Sequence, residues 1–224
     1  MGSEDLFHKR KQRASKALKR QTHQRARNKR YLIVCEGTET EPKYFAELLE
    51  DLGIRPQVVR IAPNEGVSPD RVVAHALYLY DEDALGGDAY DTVYCVFDRD
   101  THTTFAAAVQ RTRDLSAEGK PLIAITSTPC FEFWLLLHFG YSSMPFHATI
   151  KKSVGDRVVS ALKTKAGFGK YGKGQKGIYA TVKDKLDDAL RHADQLRQHG
   201  VATGSVNPAT DIDQLVLALQ ALSN

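Results

Sequence analysis

Cysteine is scarce in this 224-residue chain, and the three that occur, Cys35, Cys95 and Cys130, make an odd number with no Cys-x-x-Cys pair. A disulfide framework and a four-cysteine zinc site are thereby excluded; each thiol sits in an apolar setting and is expected to be buried and free, in a reducing cytoplasm. No apolar run approaches the roughly 18 residues of a membrane-spanning helix. The N-terminus is basic, but no apolar stretch follows it, so a secretory signal is not expected. No Gly-x-x-x-x-Gly-Lys-Ser/Thr loop occurs, which argues against nucleotide triphosphate hydrolysis by this chain. There is no internal repeat. What remains is 42% apolar residues, ample for one core with an appended lobe.

Charge is unevenly distributed. Residues 1–30 carry eleven Lys/Arg against Glu4 and Asp5, a balance of +9, whereas the other 194 residues sum to −5. The first segment reads as a basic, disordered arm. Arg10, Lys11, Arg20, Arg27 and Arg30 are its candidate phosphate contacts, because such arms bind nucleic acid through backbone charge. The plain alternative is a solubilising tail.

From residue 31 to about 140 the chain alternates strand and helix. Apolar runs at 31–35, 57–61, 92–97 and 121–126 read as strands. Helices are expected from Thr40 (as N-cap, with Pro42 in the first turn), from Pro69 and over 103–117. Such alternation implies a mostly parallel sheet covered by helices, with ligands beyond the carboxyl ends of its strands. Acids gather at those ends. Glu36 follows the first strand, and Asp98 and Asp100 end the third with the i, i+2 spacing that points two side chains one way. Paired carboxylates repel unless a cation lies between them, and a hard ion such as Mg²⁺ suits oxygen ligands. Alternatively, the acids merely end a strand and cap the next helix. Arg99, between them, is expected to face away. Glu132 opens the short apolar stretch 131–139, where a buried carboxylate needs a partner or a metal; an Arg partner or a cap would equally satisfy it. His138 reads more simply as a core or rim histidine.

Past Gly140 the composition changes. Residues 141–177 form a Lys/Gly-rich loop region in which Lys170, Lys173 and Lys176 interleave with Phe168 and Tyr171, a mixture suited to a nucleic-acid strand or simply to a mobile loop. A single amphipathic helix is expected over 178–200, and a last one from Asn207; residues 178–224 would pack back on the sheet.

A strand ending in Glu36-Gly37 and a later one ending in Asp98-x-Asp100 resembles the Toprim domain. With Thr40-Glu41, Tyr44-Phe45, Pro129-Cys130-Phe131-Glu132-Phe133-Trp134 and Asn207-Pro208-Ala209-Thr210 in order, the chain after residue 30 resembles the RloB family. The resemblance implies a Toprim-like α/β fold and a prokaryotic anti-phage protein, often paired with an AAA-type ATPase. It implies Glu36 as general acid/base, Asp98 and Asp100 as ligands of Mg²⁺ (or Mn²⁺), and Glu41 and Glu132 as auxiliary ligands or orienting groups, with Gly37 and His138 nearby. Three functions stay open. The first is a metal-dependent nuclease acting on DNA or RNA, host tRNA included, in a suicide response. The second is a non-catalytic nucleic-acid-binding or sensor subunit working with the ATPase. The third is a small-nucleotide or phosphotransfer enzyme on the same sheet. No membrane association is expected, and whether the chain is a monomer or a homodimer is open.

Overall fold

The structure is a computed structural model and describes residues 29–63 and 68–223; most of the basic arm, including Arg10, Lys11, Arg20 and Arg27, lies outside the described residues. Among the described residues five strands form one sheet in the order β2-β1-β3-β4-β5. They are β1 (Tyr31–Cys35), β2 (Val59–Pro63), β3 (Thr92–Asp98), β4 (Leu122–Thr128) and β5 (Ala209–Thr210). All neighbours are parallel except β5, which runs antiparallel to β4. Interior strand β1 is buried along its whole length, as a sheet covered on both faces requires.

The alternation of side chains divides the core in two. Leu32 and Val34 of β1, with Val93, Cys95 and Phe97 of β3, pack under α2 (Pro69–Leu85) and α3 (Phe105–Ala117). Ile33, Cys35, Tyr94 and Val96 face the other way. They meet α1 (Thr40–Asp51), α4 (Glu132–Leu137), α5 (Val154–Leu162), α6 (Ile178–Val182), α7 (Leu186–Thr203) and α8 (Ile212–Gln220). The three cysteines are free and buried. Among the described residues no helix is long and apolar enough to cross a membrane.

Local differences from the sequence reading have physical reasons. The second strand lies two residues later than expected, because Val58 still donates to Arg55 in a turn (2.9 Å). Thr40 is the first helical residue rather than the cap, and its hydroxyl accepts from the Gly174 N–H at 3.3 Å. A helix, α5, stands inside the supposed loop region, started by a reciprocal Ser153–Asp156 capping box. The long helix expected over 178–200 is broken by a 3₁₀ turn at Lys183–Lys185, which lets α6 follow α1 while α7 turns onto α4. Strand β5 was not anticipated: two residues are too short to show periodicity.

Candidate functional site

Strands β1 and β3 are the neighbours between which strand order reverses, so a crevice opens at their carboxyl ends. The chain leaving β1 stays in register for one more residue: Glu36 donates its N–H to the Val96 carbonyl at 2.9 Å. Glu36 Oε2 in turn accepts from the Asp98 N–H at 2.9 Å. Asp98 Oδ2 accepts from the Phe131 N–H at 3.0 Å, which ties the end of β3 to the start of α4. Glu132, the first residue of α4, is 3% exposed and accepts from the Tyr171 hydroxyl at 3.0 Å. Glu41, in the first turn of α1, is 8% exposed. A side chain at Gly37 would press on the Glu41 carboxylate, so glycine is what admits the close approach.

Glu36, Glu41, Asp98 and Glu132 thus line one pocket of about 240 Å³, with Lys173 as the cation among them. Burial raises the pKa of Glu36, and Asp100 adds to the rise, while the Asp98 N–H, His102 and Lys173 oppose it. Burial also holds Asp98 well above the usual carboxylate range, reinforced by the charges of Glu41 and Glu132. Glu41 is pushed up to about 7, first by burial and then by Glu132 and Glu36. Lys173 is raised chiefly by the negative charge of Glu132. The pocket carries more buried negative charge than one ammonium balances, which is the condition that attracts a further cation.

The predicted residues do not all meet there. The alternation that would aim Asp100 beside Asp98 ends with the strand. Asp100 lies in a turn with φ +29°, exposed, its N–H bonded to the Pro129 carbonyl at 2.9 Å. It acts on Glu36 by charge and does not line the pocket. Arg99 faces away as expected, its guanidinium 5.9 Å from the Phe105 ring centre. His138 is buried under α4, with Nδ1 at 3.1 Å from the Trp134 carbonyl and its ring edge-on to Trp134. Burial lowers its pKa to about 4; it is part of the core rather than the pocket. Arg30 pairs with Asp83 and Asp88 and stacks on Tyr90, so its charge is engaged within the fold. Lys170 and Lys176 are exposed on the loop before α6, and Lys173 alone of the three lines the acid pocket.

Two features escaped the sequence reading. His102 sits with Nε2 3.0 Å from Glu36 Oε1; it ends the very stretch that carries Asp98 and Asp100, and its place there was the available signal. The second is the docking of the Lys/Gly segment. Phe168 and Tyr171 are 1% and 2% exposed, so they are core rather than a stacking platform. The segment is fastened to α1: Lys43 Nζ donates to the Gly174 carbonyl at 2.7 Å, and Glu47 accepts from the N–H groups of Gly177 (2.6 Å) and Tyr179 (3.0 Å). Lys173 lies between this clasp and Tyr171, whose hydroxyl bonds to Glu132.

The fold and the pocket define a class: a parallel-sheet α/β protein with a carboxylate-lined cavity at its switch point. The chain belongs to the RloB family, whose model, described as RloB-like protein, matches residues 31–219. No curated protein and no solved structure matches it.

Proposed function

We propose that the protein is a metal-dependent nuclease whose active site is the Glu36/Glu41/Asp98/Glu132 pocket. The observation that carries this reading is the buried surplus of carboxylates at the carboxyl ends of two neighbouring parallel strands. The donor set is all oxygen, as Mg²⁺ or Mn²⁺ prefers. Among the described residues, no three His, Cys, Asp or Glu side chains are gathered tightly enough to hold an ion, so the fit rests on donor chemistry and charge. Glu36, Asp98 and Glu132 would hold the metal by drawing in around it, with Asp100 at the rim. When bound, the ion supplies Lewis-acid stabilisation of charge on a phosphodiester and lowers the pKa of its water.

The chain's own residues supply the rest. Glu36, with its pKa raised and His102 at 3.0 Å, is placed to take a proton from water and return one to a leaving oxygen. The Asp98 N–H fixes the orientation of its carboxylate. Lys173 offers a positive charge to a phosphate entering the pocket, and Lys170 and Lys176 extend that charge along the exposed loop. A role in anti-phage defence, with DNA or RNA as target and an AAA-type ATPase as partner, belongs to the same reading.

One observation favours the binding-only alternative: Lys173 already serves the acids as a counter-ion. Cleavage of labelled plasmid, single-stranded DNA, total RNA and tRNA separates the two, run with Mg²⁺ or Mn²⁺ and with EDTA. The nuclease reading expects metal-dependent cutting that Glu36→Gln removes while leaving binding intact. Cutting that survives Asp98→Asn combined with Glu36→Gln would sink it.

A further inference from the structure

Away from the acid pocket, a groove of about 510 Å³ lies between α3 and the outer edge of β4. The hydrogen bonds at the two ends of the β3–β4 ladder, Val93 N–H to Pro121 and Arg99 N–H to Ser127, assign its phase. Residues 123, 125 and 127 bond to β3, and the even-numbered residues point outward. Thr128 is then paired with Ala209. The Thr126 N–H donates to Asp211 Oδ2 (3.3 Å) and its carbonyl accepts from the Asp211 N–H (2.8 Å). The Leu122 N–H turns back to the Lys120 carbonyl at 2.8 Å. Ala124 is left: among the described residues nothing pairs with its N–H or its C=O, and both face the groove.

The walls match such an edge. Ile123 is 45% and Val206 59% exposed, and Phe105 and Val109 offer apolar surface from α3. Arg99 and Arg113 stand toward the two ends, neither with a carboxylate partner among the described residues. Phe105, beside Arg99, and Arg113 are eight residues apart on α3, roughly 12 Å of helix. An extended chain covers that distance in about four residues, with alternate side chains on one side.

We propose that this groove binds an extended peptide that adds to the edge of β4 at Ala124, with acidic side chains at positions i and i+4 for Arg99 and Arg113 and an apolar one at i+2 between them. A strand between a sheet edge and a helix gains main-chain hydrogen bonds from the edge and side-chain selectivity from the helix. Charge selects among occupants. A second copy meeting edge to edge would set these arginines against their counterparts, and a nucleic-acid backbone offers acceptors for the Ala124 N–H but no N–H for its carbonyl. The inference does not depend on the nuclease reading.

The test is fluorescence anisotropy of the full chain with labelled Ser-Thr-Glu-Thr-Val-Thr-Glu-Ser, the same peptide with both Glu replaced by Lys, and an eight-nucleotide oligothymidine. The acidic peptide is expected to bind and the Lys peptide not. Arg113→Glu is expected to weaken binding about tenfold or more, the loss of one charge-assisted contact. Ala124→Pro removes the outward N–H but no bond to β3, so edge addition predicts lost binding, with Ala124→Gly retaining it. A measurement on the unaltered chain guards against a misfolded variant: peptide should slow hydrogen exchange of the Ala124 amide. No binding of the acidic peptide at millimolar concentration, equal binding of the Lys peptide, preferential binding of the oligonucleotide, or an Ala124 amide unaffected by bound peptide would each overturn the proposal.

Discussion

On the α2/α3 face of the sheet, packing partners are near neighbours in the chain. Val72, Val73, Ala76 and Leu115 cover strands that immediately precede or follow their own helices, and the buried residues are almost all apolar. The other face is built from α1 together with nearly everything after residue 130, and it buries Glu41, Glu132, His138 and Asp213. One face follows local rules of burial; the other also buries polar groups, of which Glu41 and Glu132 line the pocket while His138 bonds to Trp134 and Asp213 pairs with Arg197. The contrast teaches where selection for something other than stability shows: buried carboxylates sharing one cation oppose folding, and they are confined to one end of one face.

The largest effect that would sharpen this contrast is on activity. On the nuclease proposal, Glu36→Gln is expected in a cleavage assay to lower turnover about 10²–10⁴-fold, the usual worth of a positioned acid or base, with little change in thermal stability. Leu115→Ala, on the other face and 1% exposed, should do the reverse, losing about 2–5 kcal/mol of stability while the remaining folded protein cleaves normally. If Leu115→Ala lowered the turnover of folded protein as much as Glu36→Gln does, the two faces would not be separable.

Trp134→Ala should lie between them and damage both properties. Trp134 is fully buried and its indole N–H donates to the Tyr44 hydroxyl at 2.9 Å, bridging α4 to α1. About 3–5 kcal/mol of stability should go. Because Glu132 and Glu41 ride on those two helices, metal binding should weaken as well, read as Mn²⁺ affinity by titration. Unchanged affinity would mean that the Trp134–Tyr44 bridge does not hold Glu132 and Glu41 in place.

A smaller effect is pH dependence of the metal-free chain. Glu41 rises in the folded state to about 7 from 4.5, so the folded state holds a proton that the unfolded state releases. Its contribution to stability is full below the unfolded value and is lost as pH rises through about 7. His138 runs the other way: its pKa is lowered to about 4, so its contribution is full above its ordinary value and is lost as pH falls toward 4. The melting temperature of wild type minus that of Glu41→Gln isolates the first group, and this difference should fall between pH 5 and pH 8. A flat difference would mean that Glu41 is ionised throughout.

Much of this was legible in the sequence. Strands β1, β3 and β4 and helices α1 to α3 were marked by period and punctuation, because each packs against its chain neighbours. Glu36, Asp98 and Glu132 were legible as strand-end and helix-start acids. What stayed hidden depended on long-range placement. Asp100 leaves the strand's alternation at a positive φ, which no spacing rule encodes. Composition alone made the segment before α6 look solvent-exposed, whereas Phe168 and Tyr171 are core. The capping box at Ser153–Asp156 is a local signal, set within a stretch whose lysines and glycines give it the composition of a loop.

The smallest effect examines how that segment is held. Tyr171 and Lys170 are adjacent in sequence and opposite in environment: the Tyr171 hydroxyl is bonded to Glu132, and Lys170 is exposed. Tyr171→Phe removes one hydrogen bond to a buried carboxylate, a loss of about 1 kcal/mol, whereas Lys170→Ala should stay within about 0.5 kcal/mol of wild type. The informative readout is local rather than global. The Gly174 amide, bonded to Thr40, should exchange faster in Tyr171→Phe if the Glu132 contact helps to seat the segment. If its exchange is unchanged, the clasp of Lys43 and Glu47 is sufficient by itself, and Lys173 reaches the acids because α1 holds its backbone there rather than because the acids draw it in.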